Sequence, residues 1–296
     1  MSQQIDKALV QTYRSNIEVQ FQQKGSRLRS TVRVESQNAE FDFYDRIGPV
    51  EAQKVTTRHG DTPLNETPHD RRRISLEDYD WADLIDKKDK LRMIADPTSA
   101  YTQNAVFAMG RAVDRAIIAA ATATAYTGKT GATQVSFPAA SEIAVNYHEV
   151  TPANSNMTIG KLRRAKFLLR STEAVEEGEM LYCILTESQI QSLLRTTEVT
   201  SSDYNTVKAL VAGQIDTFMG FKFIQTELLT KVGNIRECLF YPQSGITLAM
   251  GQELNVQVDQ LPGKRYSTQV YVCGQFGASR MWEEKVLRCK CDETVL

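Results

Sequence analysis

Long apolar runs are missing from this 296-residue chain. None approaches the roughly 20 residues of a membrane-spanning helix. The first residues, Met1-Ser2-Gln3-Gln4-Ile5-Asp6, lack the basic-then-apolar pattern of a secretory signal. Both absences predict a chain made and kept in a cytoplasm, with no membrane partner. Cysteine is scarce: Cys183, Cys238, Cys273, Cys289 and Cys291 are odd in number and widely scattered, which excludes a disulfide framework. Cys289 and Cys291 have no second close pair, so they read as two small side chains on one strand face and not as zinc ligands. An excess of either charge is also missing, with 35 Lys+Arg against 36 Asp+Glu. A protein that grips nucleic acid by charge carries a basic excess, whereas a container does not need one.

Catalytic signatures are equally scarce. The chain has three histidines and no H-E-x-x-H, G-x-S-x-G or G-x-G-x-x-G. "YTGKTGAT" (Tyr126–Thr133) holds a G-K-T, but the first glycine of a phosphate loop is replaced by Ala123, and the segment follows a helix pattern instead of a strand. No cofactor is expected. With 42% hydrophobic and 24% charged residues the chain is an ordinary folded one, long enough for one large domain or two modest ones.

The N-terminal segment has only sparse apolar anchors. Ile5, Leu9, Tyr13 and Ile17 recur every fourth residue, a narrow stripe suited to a helix lying on something else. Residues 31–47 alternate as strands, with a turn at Gln37-Asn38. Ile74 and Leu76 share one face of a further strand, and "LEDYDWADLI" reads as a short helix through Tyr79, Trp81, Leu84 and Ile85. Asp96-Pro97 opens a long Ala-rich helix that runs to about Tyr126, with Val106, Met109, Val113, Ile117 and Ala120 at steps of three and four. A second helix starts at Thr158, "MLYCIL" is a buried strand, and Thr186 caps a third helix. From Glu237 onward the chain is strand-like. The mixture predicts an α+β protein.

The segment Thr57–Trp81, "TRHGDTPLNETPHDRRRISLEDYDW", gathers most of the polar chemistry. His59, Asp61 and His69 are acceptable metal ligands by type, and a metal-dependent hydrolase is one reading. Yet His59 and His69 lie ten apart across prolines, a poor ligand spacing. Arg71, Arg72 and Arg73 suit bidentate pairing with carboxylates, and Glu77, Asp78 and Asp80 follow at once. The better reading is an arm whose Arg58, His59, Asp61, His69 and arginines are contact residues with partners on a neighbouring copy and not within the chain, the arginines being set against that copy's carboxylates.

The order of parts, and the wording of "KGSRLRSTVRVE", "FYDRIGPVEAQKVTTRHGDTPLNETPHDRRRISLEDYDWADLIDKKDKLRMIADPTSAY", "GRAVDRAIIAAA" and "MGFKFIQTELL", resembles the major capsid proteins of tailed bacteriophages with the Hong Kong 97-like fold. The resemblance implies an N-terminal arm (1–30), an extended loop (31–77) laid over an adjacent subunit, and a peripheral domain (78–150 with 255–296) around a spine helix. It also implies an axial domain (151–254), with "TEVTSSDYNTVKAL" as a loop at capsomer centres. It implies hexamers and pentamers of an icosahedral virion shell, assembled in the host cytoplasm around double-stranded DNA, with a portal protein and a separate scaffolding or decoration protein as partners. An encapsulin-like nanocompartment shell enclosing a cargo enzyme is the near alternative. A phage tail or adhesin β-protein fits the spine helix poorly.

Overall fold

The computed structural model describes residues 22–54, 56, 62, 64–86, 98–148, 152–195 and 217–295. The stripe Ile5–Ile17, the Asp96-Pro97 helix start and the loop Thr197–Leu210 lie outside these residues. Strands β1 (Arg33–Ser36), β2 (Phe41–Ile47), β3 (His69–Ser75) and β4 (Glu77–Ile85) precede helix α1 (Thr98–Thr122). Then come β5 (Ala125–Thr127), β6 (Thr133–Val135), β7 (Glu142–Ile143), α2 (Ile159–Ser171), β8 (Leu181–Leu185) and α3 (Glu187–Leu194). The chain closes with β9 (Thr217–Phe218), β10 (Phe221–Gln225), β11 (Lys231–Val232), β12 (Ile235–Pro242), β13 (Ile246–Leu261), β14 (Ser267–Arg280) and β15 (Leu287–Asp292).

The chain forms two compact units. The larger comprises Arg27–Glu77, Val113–Gly251 and Phe276–Leu296; the smaller comprises Met1–Ser26, Asp78–Ala112 and Gln252–Gln275. Helix α1 and strands β13 and β14 run through both.

The larger unit is built on a sheet in the order β7-β15-β12-β8-β10-β9, with β11 against β12. All five residues of β8 are buried, the continuous apolar run of a strand covered on both faces. It pairs in parallel with β10 and antiparallel with β12. Helix α2 is capped by the Thr158 side chain, which accepts from Lys161 N, and α3 opens with a full capping box between Thr186 and Gln189. Cys183, Cys238, Cys289 and Cys291 are buried within this sheet, and the last two sit on one strand face with their sulfurs 3.9 Å apart.

Lys161 is fully buried, and its Nζ donates to the carbonyls of Val145 (3.1 Å), Ser155 (2.7 Å) and Lys290 (2.9 Å). One ammonium thereby ties a loop to β15. The chain just after residue 26 is held in the same manner by a buried acid: Asp114 accepts from Arg27 N (3.0 Å) and Leu28 N (3.1 Å), and Leu28 is fully buried.

In the smaller unit, β4 is the edge strand beside β14. The short helix expected over "LEDYDWADLI" is instead this nine-residue strand. Its exposure alternates with period two, Tyr79, Trp81 and Asp83 being the more covered, and that alternation defeats the i, i+3 spacing that Trp81 and Leu84 also satisfy. Helix α1 also ends earlier than its pattern predicts, at Thr122 instead of Tyr126. Ala125–Thr127 turn away to pair with β3 as β5. Gly110, a propensity weak point in α1, is a packing requirement. A Cβ there would stand 2.6 Å from Gly25 C and 2.8 Å from Ser26 N, so only glycine admits that backbone.

Candidate functional site

The arginine run is divided by the pleat of β3, because successive side chains of a strand point to opposite faces. Strands β2 and β3 form an antiparallel hairpin in which Phe43 faces Arg73, Tyr44 faces Arg72, Asp45 faces Arg71 and Arg46 faces Asp70. Beyond the strands the legs stay in register: Gly48 N donates to Pro68 O (3.0 Å), and Asn65 Nδ2 donates to Glu51 O (3.1 Å). Strands β5 and β6 extend the sheet on the β3 side.

The inner face of the hairpin forms a buried ionic root. Arg72 is fully buried and pairs with Glu283, which also faces Arg46 at 3.5 Å and Arg280 at 3.9 Å. Arg46 also binds Asp70 and lies 4.6 Å from the centre of the Trp282 ring. Arg280 donates to the carbonyls of Ala123 and Val135. Three guanidinium groups thus converge on one carboxylate, with Asp70 as a second. Burial pushes the Asp70 carboxyl up, but hydrogen bonds from Thr127 Oγ1 and Arg46 outweigh it and hold its pKa at about 2. Arg72 is therefore corrected from an inter-copy contact to an intramolecular anchor, because its charge is sealed inside its own chain.

The outer face is different. Arg71 pairs across the strands with Asp45 at 2.8 Å while staying half exposed. Arg73 lies 4.8 Å over the Tyr126 ring. Both contacts are within the chain, so the expectation that all three arginines wait for outside partners fails in that form. Phe41 and Ile47 are 50% and 61% exposed on this face, and Leu64 nearer the tip is 94% exposed. A cleft of about 310 Å³ between Asp45, His69, Asp70, Arg71, Gly128 and Lys129 opens beside them. His69 is exposed at the start of β3, and Glu77, Asp78 and Asp80 are exposed on β4. Arg58, His59 and Asp61 lie outside the described residues. The G-K-T stretch makes the β5–β6 turn, with Gly128 and Gly131 at φ +88° and +65°.

Arg46, Arg280 and Glu283 escape the sequence reading. Glu283 lies 211 residues from Arg72, and no local pattern links residues so far apart. The alternation of β3 was the available signal, since it allows at most two of three consecutive arginines on one face.

The chain matches the phage capsid protein family over residues 5–293. A search among curated proteins gives no match. Among solved structures, the capsid of Cyanophage P-SCSP1u is similar at 14% identity and a TM-score of 0.74, covering 97% of this chain and 94% of that one. The acidic stable capsid of Helicobacter pylori bacteriophage KHP30 gives 11% identity and 0.74, covering 99% and 98%. The capsid of Ralstonia phage GP4 gives 11% and 0.73, covering 96% and 95%. These likenesses carry the Hong Kong 97-like fold, and the match along almost the whole sequence carries the family: this chain belongs to the phage capsid proteins.

Proposed function

We infer that many copies of this major capsid protein close into an icosahedral shell of hexamers and pentamers around double-stranded DNA, with a portal protein at a vertex and a separate scaffolding or decoration protein as helper. The hairpin β2–β3 and its tip belong to the extended loop, residues 31–77, laid over an adjacent subunit. The observation that carries this is its two-sided design. Apolar side chains are exposed on the outer face and at the tip, while a buried ionic cluster fixes the root. Large exposed apolar side chains gathered on one face of an element mark an interaction surface. His69, Arg71 and Arg73 of that face meet Glu77, Asp78 and Asp80 of the next copy, and Arg58, His59 and Asp61 are further contact residues of the same loop. Residues 78–150 and 255–296 serve as the peripheral domain, 151–254 as the axial domain and 1–30 as the arm.

Negative-stain microscopy of the expressed chain tests the reading. Closed shells of uniform diameter are expected, and particles from an infected lysate hold nuclease-protected DNA. A cargo protein in place of DNA would move the assignment to a nanocompartment. A chain that stays monomeric under all assembly conditions would overturn it.

A further inference from the structure

Helix α2 and the loop that follows it carry opposite charges side by side. The 13 residues of α2, IGKLRRAKFLLRS, hold five cations and no acid. Lys161 is fully buried, while Arg164, Lys166 and Arg170 reach the surface. The next residues, Thr172–Met180, read TEAVEEGEM and hold four acids and no cation. Glu179 accepts from Ser244 N (2.8 Å), but Glu173, Glu176 and Glu177 are exposed. Arg170 and Glu173 are only three residues apart, yet among the described residues Arg170, Glu173, Glu176 and Glu177 enter no ion pair. The Arg164 guanidinium lies 5.4 Å over the Phe167 ring, and Lys166 Nζ donates to the Met219 carbonyl (2.8 Å). Neither contact neutralises the charge it holds. Phe167 on the helix and Met180 at the end of the loop are 59% and 47% exposed.

The fold of the chain itself gives the loop's acids no reason. Glu173 stands one residue past the Thr172 C-cap of α2 at φ +51°, a left-handed position that glycine or asparagine takes most easily. It also sets a negative charge at the negative end of the helix dipole. Glycine would relieve the first fault and lysine the second. The matching chemistry lies on the same surface, in the basic face of α2. Because the two patches abut, a second copy laid end for end sets each against its opposite at once, the self-complementary form of contact between identical chains. Such a contact also covers Phe167 and Met180, and the apolar cover distinguishes it from isolated surface ion pairs, which are worth little. A nucleic acid fits only half of the surface, since its phosphates are repelled by the acidic half.

Resting on the shell reading above, we propose that Arg164 and Arg170 of one copy meet Glu173, Glu176 and Glu177 of a second copy, and that the closed shell requires this contact. Full-length variants test it by exchanging charge. Arg164→Glu/Arg170→Glu makes both patches acidic, and Glu173→Lys/Glu176→Lys/Glu177→Lys makes both basic. Each should stay folded, with a urea midpoint close to that of the wild type, and form no closed shells in negative stain. The combined variant carries all five substitutions, which restores opposite signs with their places exchanged, and it should again form closed shells of the wild-type diameter. Normal shells from either reversal variant overturn the assignment, and so does a folded combined variant that forms none. Should the combined variant unfold, an equal mixture of the two reversal variants makes the same pairing between copies, and a mixture without shells overturns the assignment equally. A wild-type chain that stays monomeric overturns the shell reading together with this one, whereas shells from the reversal variants overturn this one alone.

Discussion

At the scale of single residues, the buried charges of this chain tie segments that lie far apart in sequence. Lys161 has three carbonyl partners, more than a hydroxyl or an amide could satisfy from one site. Lys161→Met preserves most of the volume and strands all three acceptors, each costing about 1–3 kcal/mol when buried without a donor. We expect a loss of about 3 kcal/mol or more in urea unfolding of the subunit, and a loss below about 1 kcal/mol would mean that water replaces the ammonium. Glu283 is the counterpart in the hairpin root. Glu283→Gln leaves Arg46, Arg72 and Arg280 facing one another, and removal of one partner of a buried pair costs about 3–5 kcal/mol. Arg72→Met removes one of the three guanidinium groups and should cost less. A double-mutant cycle reads this directly, because the double variant should be more stable than the sum of the two singles predicts.

The ionic root also sets a pH window. Asp70 has a folded pKa of about 2 against an ordinary 3.8. A depressed carboxyl contributes stability that is complete above its unfolded value and is lost as pH falls through the folded one. The Asp70 contribution should therefore be constant above about pH 5 and disappear between about 4 and 2. Glu293 behaves likewise: burial pushes it up, but bonds from Lys231 and Arg236 hold it at about 2. Asp70→Asn should flatten part of the acid limb of a stability–pH curve while leaving its neutral slope unchanged. A limb identical to the wild type would assign the acid response to other groups.

At the scale of elements, legibility followed the range of the interactions involved. Caps at Thr158 and Thr186, the buried run of β8 and the periodic face of α1 are local signals, and α2, β8 and α3 formed where they were expected, as did the body of α1. The end of α1 and the identity of β4 depend on pairing with distant strands, β3 for the residues after Thr122 and β14 for Glu77–Ile85. Propensity cannot see such partners. Gly110 shows the same division: the helix pattern registers it only as a weak point, while its reason is the chain at Gly25-Ser26 against the helix. Gly110→Ala should gain helix propensity of up to about 1 kcal/mol in isolation. In the folded chain the clash outweighs this gain. The variant should unfold at lower temperature and be cut faster by trypsin at Lys24 and Arg27. Stabilisation instead would mean that residues 22–26 are not held against α1 in solution.

At the scale of the whole molecule, the buried root decides where the arm can be cut. A deletion through Arg72 would remove an anchor of Glu283 and damage the fold, so a loss of shells would report instability and not a lost contact. Removing residues 50–66 and joining the legs through an Asn-Gly turn spares Arg46, Asp70, Arg72 and the Gly48–Pro68 bond. Asn-Gly suits the left-handed geometry of a tight hairpin turn. This shortened chain should unfold cooperatively with stability near that of the full chain, since Leu64 and its neighbours make little of the core. It should nevertheless form no closed shells in the microscope. Those two results together locate assembly energy in the tip and folding energy in the root. Normal shells from the shortened chain would show that the outer face of β2 and β3, carrying Phe41, Arg71 and Arg73, suffices for the contact.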